Sequence, residues 1–473
     1  MMSNVDGSIK RVAHPINPNI KTVSRKTSAT SMLSSNDLRY ATAPDLRSTA
    51  AHIVDEITAQ STLFDYETEA KIPTFHPSEI RMGHVIGRGG FCICQEIEKI
   101  APIKPLTRAG SSRVPKASTT KAGDGKKVFT LFRLVRQGDA SFSSDDASSD
   151  GNLNKLSSHS RDSLASGQAK ASRDCVTKKA KETRSGRKCC YVVKSVSTEV
   201  SKITYMKGNV DIALEAKFLG SLSHRNIIEL AGVSSTGPCS KGYFLILERM
   251  EETLASRLKT WMDRERLTQG LFGCMGGAKR ADQLYVDRIE ASFDIASSLQ
   301  YIHSKNVIYR DLKPDNVGFD RYGVLKLFDF GLCKELKDED KEKNGLYRNM
   351  TGLTGAVRYM APEVGTGEPY GISADVYSWA MLMWFILALE PPFGLYTESM
   401  IMDRAWVRGY RPVVFRRWNE NIQNLIRSAW AQDPLDRPSF LEISLALKQE
   451  LMSLDHSKTW GSTCTSDDSD PQM

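Results

Sequence analysis

Tyr309-Arg310-Asp311-Leu312-Lys313-Pro314-Asp315-Asn316, followed 18 residues after Asp311 by Asp329-Phe330-Gly331, is the stretch that decides the fold of this chain. The first run sets an Asp, a Lys two residues on and an Asn five residues on within one short loop between apolar segments. The second closes the apolar run Leu325–Phe328. Two carboxylates and a carboxamide converging in this way offer one acceptor for a hydroxyl proton and two oxygen ligands for Mg²⁺. Structural capping accounts for any one of them but not for all in this order.

Upstream lie two weaker signals. Gly87-Arg88-Gly89-Gly90-Phe91 follows the strand pattern of Ile80, Met82, Val85 and Ile86, and glycines there would let backbone amides approach phosphates closely. An ordinary hairpin turn explains that run equally well. Lys194 ends the apolar strand Cys189–Val193, where a lysine either meets an anion or snorkels from a sheet edge. The residues alone leave both open.

Working outward, residues 1–78 are mixed Ser, Thr, Asn and Pro with little periodicity, which predicts a disordered tail with one short helix around Ala50 to Thr62. Strands follow from Glu79, with a helix near Asn209–Ser221 and another strand at Tyr243–Leu247. From Thr253 the pattern is helical, interrupted by short strands at Val317–Phe319 and Leu325–Phe328, and polar disorder resumes over 454–473. A small β-rich half followed by a larger helical half is an α+β, two-lobed arrangement with a cleft between the lobes.

Of the 473 residues, 40% are hydrophobic and 25% charged, which excludes fibrous and wholly disordered classes. The longest uncharged apolar run, Val376 to Leu389, has 14 residues, short of the roughly 20 that a membrane span needs. It reads as a buried core helix. No apolar leader of signal type begins the chain, and nine scattered cysteines without zinc-ligand spacing point to reduced thiols in a cytoplasmic or nuclear setting. The net charge of +8 belongs to one segment: between Ala101 and Lys188 there are 19 Lys and Arg against 8 Asp and Glu. That segment, with ten serines between Ser141 and Ser166, predicts a solvated insert over 101–188, with one strand at Lys126 to Arg136. Its scarcity of aromatics weighs against nucleic acid as a partner.

Taken together, these motifs resemble the eukaryotic protein kinases, whose signature set is a known template. The resemblance covers about residues 79–453, interrupted by the insert. It adds Glu215 on the helix after Lys194, His224-Arg225-Asn226-Ile227-Ile228, Ala361-Pro362-Glu363, Asp375 and Arg437. Lys313 is similar to the serine/threonine type. Trp430 to Phe440 and Val376-Tyr377-Ser378-Trp379 are similar to the tyrosine-kinase-like group. The resemblance implies ATP and Mg²⁺ as cofactors and protein hydroxyls as substrates. Gly87, Gly89 and Gly90 would cover the phosphates, and Lys194, oriented by Glu215, would hold them. Cys94 and Val192 would cover adenine, Leu247 would be the gatekeeper, and Glu248 to Met250 the hinge. Asn316 and Asp329 would bind Mg²⁺, Asp311 would accept the hydroxyl proton, and Lys313 would stabilise the moving phosphoryl group. Glu363 and Arg437 would form a structural ion pair. Thr351, ahead of Thr354 and Tyr347, would be the site for an upstream activating kinase.

Four departures from the family pattern bear on mechanism. Cys92 replaces the third loop glycine and Cys94 the usual valine. Tyr309 replaces the commonest histidine. Gly318 takes the place of the apolar residue under adenine, while Val192 is larger than the usual alanine. Ala356 stands where a threonine usually bridges the catalytic Asp and Lys, and the lost hydrogen bond, about 0.5–1.5 kcal/mol, predicts a slower enzyme. The alternative is a pseudokinase scaffold that binds partners. The presence of Lys194, Asp311 and Asp329 favours catalysis.

Overall fold

The computed structural model describes residues 43–101, 154–181, 189–269 and 277–461. The small lobe begins with α1 (Ala43–Ala59) and a short α2 (Tyr66–Glu69), then β1 (Thr74–Phe75), β2 (Ile80–Arg88) and β3 (Cys92–Ile100). It continues with α3 (Asn154–Lys181), β4 (Tyr191–Val196), α4 (Lys202–Ser221), β5 (Leu230–Ser234) and β6 (Phe244–Glu248). The sheet order is β1-β5-β6-β4-β3-β2, antiparallel throughout except for β1 against β5.

Side chains alternate across the pleat, so β4 and β6 present two different faces. Val192, Lys194, Leu245 and Leu247 face the cleft side that α4 covers, while Tyr191, Val193, Phe244 and Ile246 belong to the core on the opposite face. Both sets are buried, which is why these strands read as continuous apolar runs and not as an alternation.

The cover of the second face corrects the expectation for the insert. Residues 154–181 form one helix, α3, and Val176 and Ala180, four residues apart, are buried against that outer face. Arg173 joins them: it donates to the Thr74 carbonyl, pairs with Glu79 at 2.5 Å, and stacks 4.9 Å from the Phe75 ring. One helical turn with two small apolar residues suffices because the sheet supplies the hydrophobic surface. The strand expected at Lys126 to Arg136 lies outside the described residues.

The N-terminal expectation is corrected as well. The helix runs Ala43–Ala59, earlier than Ala50 to Thr62, and Ala50, Ile53 and Val54 bury one face of it against α4. Residues 43–78 therefore belong to the small lobe and not to a tail. Their apolar stripe is short, but its spacing of three to four residues is helical.

The large lobe contains β7 (Glu252–Thr253), α5 (Leu254–Gln269), α6 (Gly277–His303), β8 (Val307–Ile308), β9 (Val317–Phe319), β10 (Leu325–Leu327) and β11 (Lys334–Glu335). Then come α7 (Pro362–Thr366), α8 (Ser373–Ala388), α9 (Glu398–Ile401), α10 (Glu420–Ala429) and α11 (Phe440–Gly461). The apolar run Val376 to Leu389 is the buried helix α8, whose Trp379 indole donates to the Ser292 carbonyl on α6 at 3.1 Å. Helix α11 continues past Leu454, where polar disorder was expected, because the chain meets no Gly or Pro until Gly461. The architecture is α+β and two-lobed.

Candidate active site

The glycine-rich turn joins β2 to β3 and is exposed, with Gly89 N–H donating to the Cys92 carbonyl at 2.8 Å. Gly87 pairs with Cys94, and Cys94 in turn pairs with Lys194, so the turn and the lysine share one ladder. Phe91 at the tip leans onto α4, within 2.7 Å of where a side chain at Gly208 would begin.

Lys194 is buried on the cleft face, and its ammonium donates to Glu215 at 2.6 Å and to Asp329 at 2.9 Å. Burial works against its charge, but the carboxylates of Asp329 and Glu215 outweigh burial and hold its pKa well above the ordinary value. Burial likewise opposes the Asp329 carboxylate, yet Lys194 keeps it below the usual range and ionised. A charged lysine between two acids is the arrangement an anionic ligand would enter. The Glu215 oxygen not facing Lys194 accepts from the Phe330 N–H at 3.4 Å, which ties α4 to the Asp329–Gly331 turn. Asp329 itself is left-handed (φ 67°), a conformation Asp tolerates and which occurs at functional turns. Its side chain is 44% exposed and able to reach a ligand.

Opposite stands the loop after β8. Asp375, fully buried at the start of α8, accepts from the N–H groups of Tyr309 and Arg310 at 2.8 Å each and contacts His303 Nε2 at 2.9 Å. The Tyr309 hydroxyl donates to the Phe328 carbonyl, and its ring meets Phe330 edge-on at 5.4 Å. These contacts fix the backbone on both sides of Asp311. Asp311 Oδ2 accepts from Lys313 and, at 2.8 Å, from the Asn316 amide, whose nitrogen also reaches the Asp311 carbonyl. Both amide hydrogens of Asn316 are directed at Asp311, which leaves the amide oxygen free of these contacts and chemically able to bind a cation. Burial raises the Asp311 pKa and Lys313 pulls it back, a net upward direction that suits a proton acceptor.

Asp311 Oδ1 is buried without a hydrogen-bond partner. Gly355 lies over it: with φ at +98°, a side chain there would fall 2.3 Å from the Arg310 carbonyl and 3.4 Å from Oδ1. Only glycine fits, and the next residue, Ala356, has no hydroxyl to offer. The residue that lacks the hydroxyl thus directly follows the glycine that covers the orphaned oxygen.

Gly318 does not open a gap under the expected nucleotide site. A side chain there would meet the Glu252 carbonyl at 2.9 Å, Phe328 at 3.0 Å and Met250 at 3.1 Å, so neighbours already fill that volume. Val192 pairs with Leu247, both buried. Glu248 ends β6 and pairs with Lys326 at 3.4 Å. Among the described residues the Met250 backbone N–H and C=O find no backbone partner. Glu363 and Arg437 form a bidentate pair at 2.6 and 2.9 Å, buried in the large lobe. The sequence-based residues therefore converge from β3, β4, α4, the hinge and two loops of the large lobe. What the sequence reading missed is Asp211, buried one turn before Glu215 with both carboxylate oxygens unpartnered. Its i, i+4 spacing to Glu215 was the available signal.

The chain matches the protein kinase domain family over residues 175–450, more than half its length, and belongs to that family. The glycine-rich turn precedes the matched span. Serine/threonine-protein kinase STY17 of Arabidopsis thaliana is 34% identical over 161 residues, covering 34% of this chain and 27% of that protein. Dual specificity protein kinase shkB of Dictyostelium discoideum is 32% identical over 153 residues, 32% of this chain and 22% of that protein. Mitogen-activated protein kinase kinase kinase 13-A of Xenopus laevis is 30% identical over 233 residues, 49% of this chain and 21% of that protein. The chain thus spans no more than 27% of the length of these curated relatives.

Proposed function

We propose that this chain is a serine/threonine protein kinase that transfers the terminal phosphoryl group of ATP to protein hydroxyls. The observation that carries this reading is the charged Lys194, held between Glu215 and Asp329 across from Asp311 with its Lys313 and Asn316 partners. Lys194 binds phosphate, with Glu215 orienting it, while Gly87, Gly89 and Gly90 cover the phosphates from the β2–β3 turn. Cys94 and Val192 cover adenine, and the backbone of Glu248 to Met250 reads its edge. Asp329 and Asn316 would hold Mg²⁺, which, when bound, neutralises charge on the phosphate oxygens. Asp311 orients the substrate hydroxyl and takes its proton. Lys313 faces the same point and stabilises the transferred group. Serine and threonine are preferred over tyrosine because Lys313 follows Asp311 at the serine/threonine spacing.

With Asp311 Oδ1 unpartnered and no hydroxyl at Ala356, turnover is slow and not absent. Thr351 is the residue for an upstream activating kinase, since Thr354 and Tyr347 are buried while Thr351 is partly exposed. The mitogen-activated protein kinase kinase kinase relative supports a role in a kinase cascade, and the partners proposed are proteins. Among the described residues no helix is long and apolar enough to cross a membrane, and the proposed location is cytoplasmic, with a nuclear fraction directed by the basic insert. Turnover of Mg²⁺-ATP on a generic protein substrate tests the reading. Phosphate should appear on serine or threonine and vanish in Asp311→Asn. Equal turnover by the wild type and Asp311→Asn would refute it.

A further inference from the structure

Helix α4 carries Glu215, so whatever fixes α4 fixes the ion pair with Lys194. One segment runs along it. Ala50, Ile53 and Val54 of α1 bury against α4, and Phe64 meets Phe218 edge-on at 5.0 Å. Glu69 then pairs with Lys217 at 2.7 Å, and Ile72 covers Gly220, where a side chain would come within 2.8 Å of it. The segment ends as β1 in the sheet beside β5. Contacts at 217, 218 and 220 lie within about a turn and a half of Glu215.

The same segment grips the large lobe at one point. Between α1 and Phe64, the Ser61 hydroxyl accepts from the N–H groups of Leu63 and Phe64 at 3.1 Å each, closing a tight turn. That hydroxyl donates to Glu335 Oε2 at 2.5 Å, while Thr62 donates its N–H (2.9 Å) and its hydroxyl (2.5 Å) to Oε1. Gln60 accepts from Lys337 at 2.7 Å. Glu335 lies on β11, six residues after Asp329, on the segment that carries Gly355 to the catalytic loop. Both oxygens of Glu335 are thus engaged by residues that precede it by more than 270 positions.

We propose that Ser61, Thr62 and Glu335 are positioning residues for phosphoryl transfer: they latch the segment 43–75 to the segment following Asp329, and so hold α4 where Glu215 meets Lys194. This rests on the reading of Lys194 and Glu215 as the phosphate-orienting pair. The latch acts on both acids that hold Lys194, since α4 brings Glu215 and β11 extends the turn that brings Asp329. Hydrogen bonds to a carboxylate are the stronger kind, and three converge here.

The test uses the full chain in five forms, four of them wild type, Ser61→Ala/Thr62→Ala, Glu335→Ala, and the three substitutions together. Glu335→Gln serves as the conservative variant, keeping one acceptor oxygen. Steady-state kinetics in ATP and a protein substrate are read beside hydrogen exchange over 60–64 and 202–221. Breaking the latch from either side should lower kcat/KM for ATP roughly five- to thirtyfold, the factor expected of one or two kcal/mol. Exchange at Thr62 and along α4 should speed up in the same variants. The triple variant should be no worse than either parent, as two halves of one contact require, and Glu335→Gln should recover part of the loss. Additive losses, unchanged kinetics, or lost activity with unchanged exchange along α4 would each overturn the proposal. If the wild type itself has no turnover, the kinase reading fails, while the exchange data still decide whether the latch holds α4.

Discussion

Replacing Asp211 with asparagine should stabilise the protein increasingly as pH rises above the ordinary carboxyl range and change it little below that range. Asp211 is 4% exposed on α4, and neither of its oxygens has a hydrogen-bond partner. It rests on the Asp329–Gly331 turn, where a side chain at Gly331 would come 3.3 Å from its Cβ. Burial is the first reason that its pKa lies well above the ordinary value, and repulsion from Asp329 is the second, with Lys194 offsetting part of it. The sign follows from proton counting. As pH rises past the ordinary carboxyl range, the unfolded chain loses the Asp211 proton while the native state keeps it. Stability therefore falls through that window by about 1.4 kcal/mol for each pH unit, until the native carboxyl also titrates. Below the window both states are protonated, and this contribution is fully present. Asparagine keeps the shape of the side chain and cannot ionise, so the variant lacks this slope. Urea unfolding of both proteins at several values between about pH 4 and pH 8 measures it as a difference, which removes the other titrating groups. A stability difference that stays constant across that range would refute the assignment of Asp211 as a buried, protonated acid.

Three further outcomes follow from the same contacts. Lys194→Met should lower turnover by roughly 10²–10³-fold, as loss of a preorganised charge at a reacting phosphate does, and should also lower the melting temperature because Glu215 and Asp329 lose their shared cation. Steady-state kinetics and calorimetry separate the two effects. Ala356→Thr should raise kcat roughly two- to tenfold by giving Asp311 Oδ1 a donor, and an unchanged or reduced kcat at saturating ATP would count against that role for the orphaned oxygen. Replacing residues 102–153 with a Gly/Ser linker should leave turnover within a few-fold, whereas extending the deletion through Lys181 should destabilise the small lobe by at least about 1.5–3 kcal/mol, the burial of Val176 alone. Thermal melts of the two deletions check the contrast.

The parts of this protein that were legible in its sequence are those where chemistry restricts residue type. Asp311, Lys313, Asn316 and Asp329 can be found by spacing because proton transfer and cation binding accept few substitutes. Lys194 was ambiguous by itself and became informative only with Glu215, a partner 21 residues away on another element. The docking of α1, foreseen only as a short helix in a tail, and the whole of α3 were hidden for the opposite reason. Each docks through a few small apolar residues (Ala50, Ile53 and Val54 in one, Val176 and Ala180 in the other), and elsewhere its sequence resembles a solvated segment. The sign of α3 lay instead in its receptor. Tyr191-Val192-Val193 and Tyr243 to Leu247 are unbroken apolar runs on antiparallel strands, and such strands need cover on both faces. Reading the unmet burial of the sheet, and not the polarity of the insert, would have called for a helix there.

Helix α4 carries the same lesson to the site itself. Residues 208–216 are buried without interruption, Asn209, Asp211 and Glu215 among them, so no polar face remains to show which side meets water. Periodicity is silent on a helix enclosed by a sheet, by α1 and by the Asp329–Gly331 turn. Enclosure also means that no single neighbour sets its position. The Glu215–Lys194 distance of 2.6 Å is the joint result of apolar contacts from α1, edge contact from Phe64, and the turn that Phe330 N–H ties to Glu215. Two buried acids on its inner face, one paired and one not, pull in opposite senses: Glu215 is held by the lysine, and Asp211 disfavours burial whenever it ionises. A helix so balanced depends on its outer cover. Through that dependence residues 43–75, whose sequence has the composition of a tail, bear on the geometry of the Lys194–Glu215 pair as directly as the sheet does.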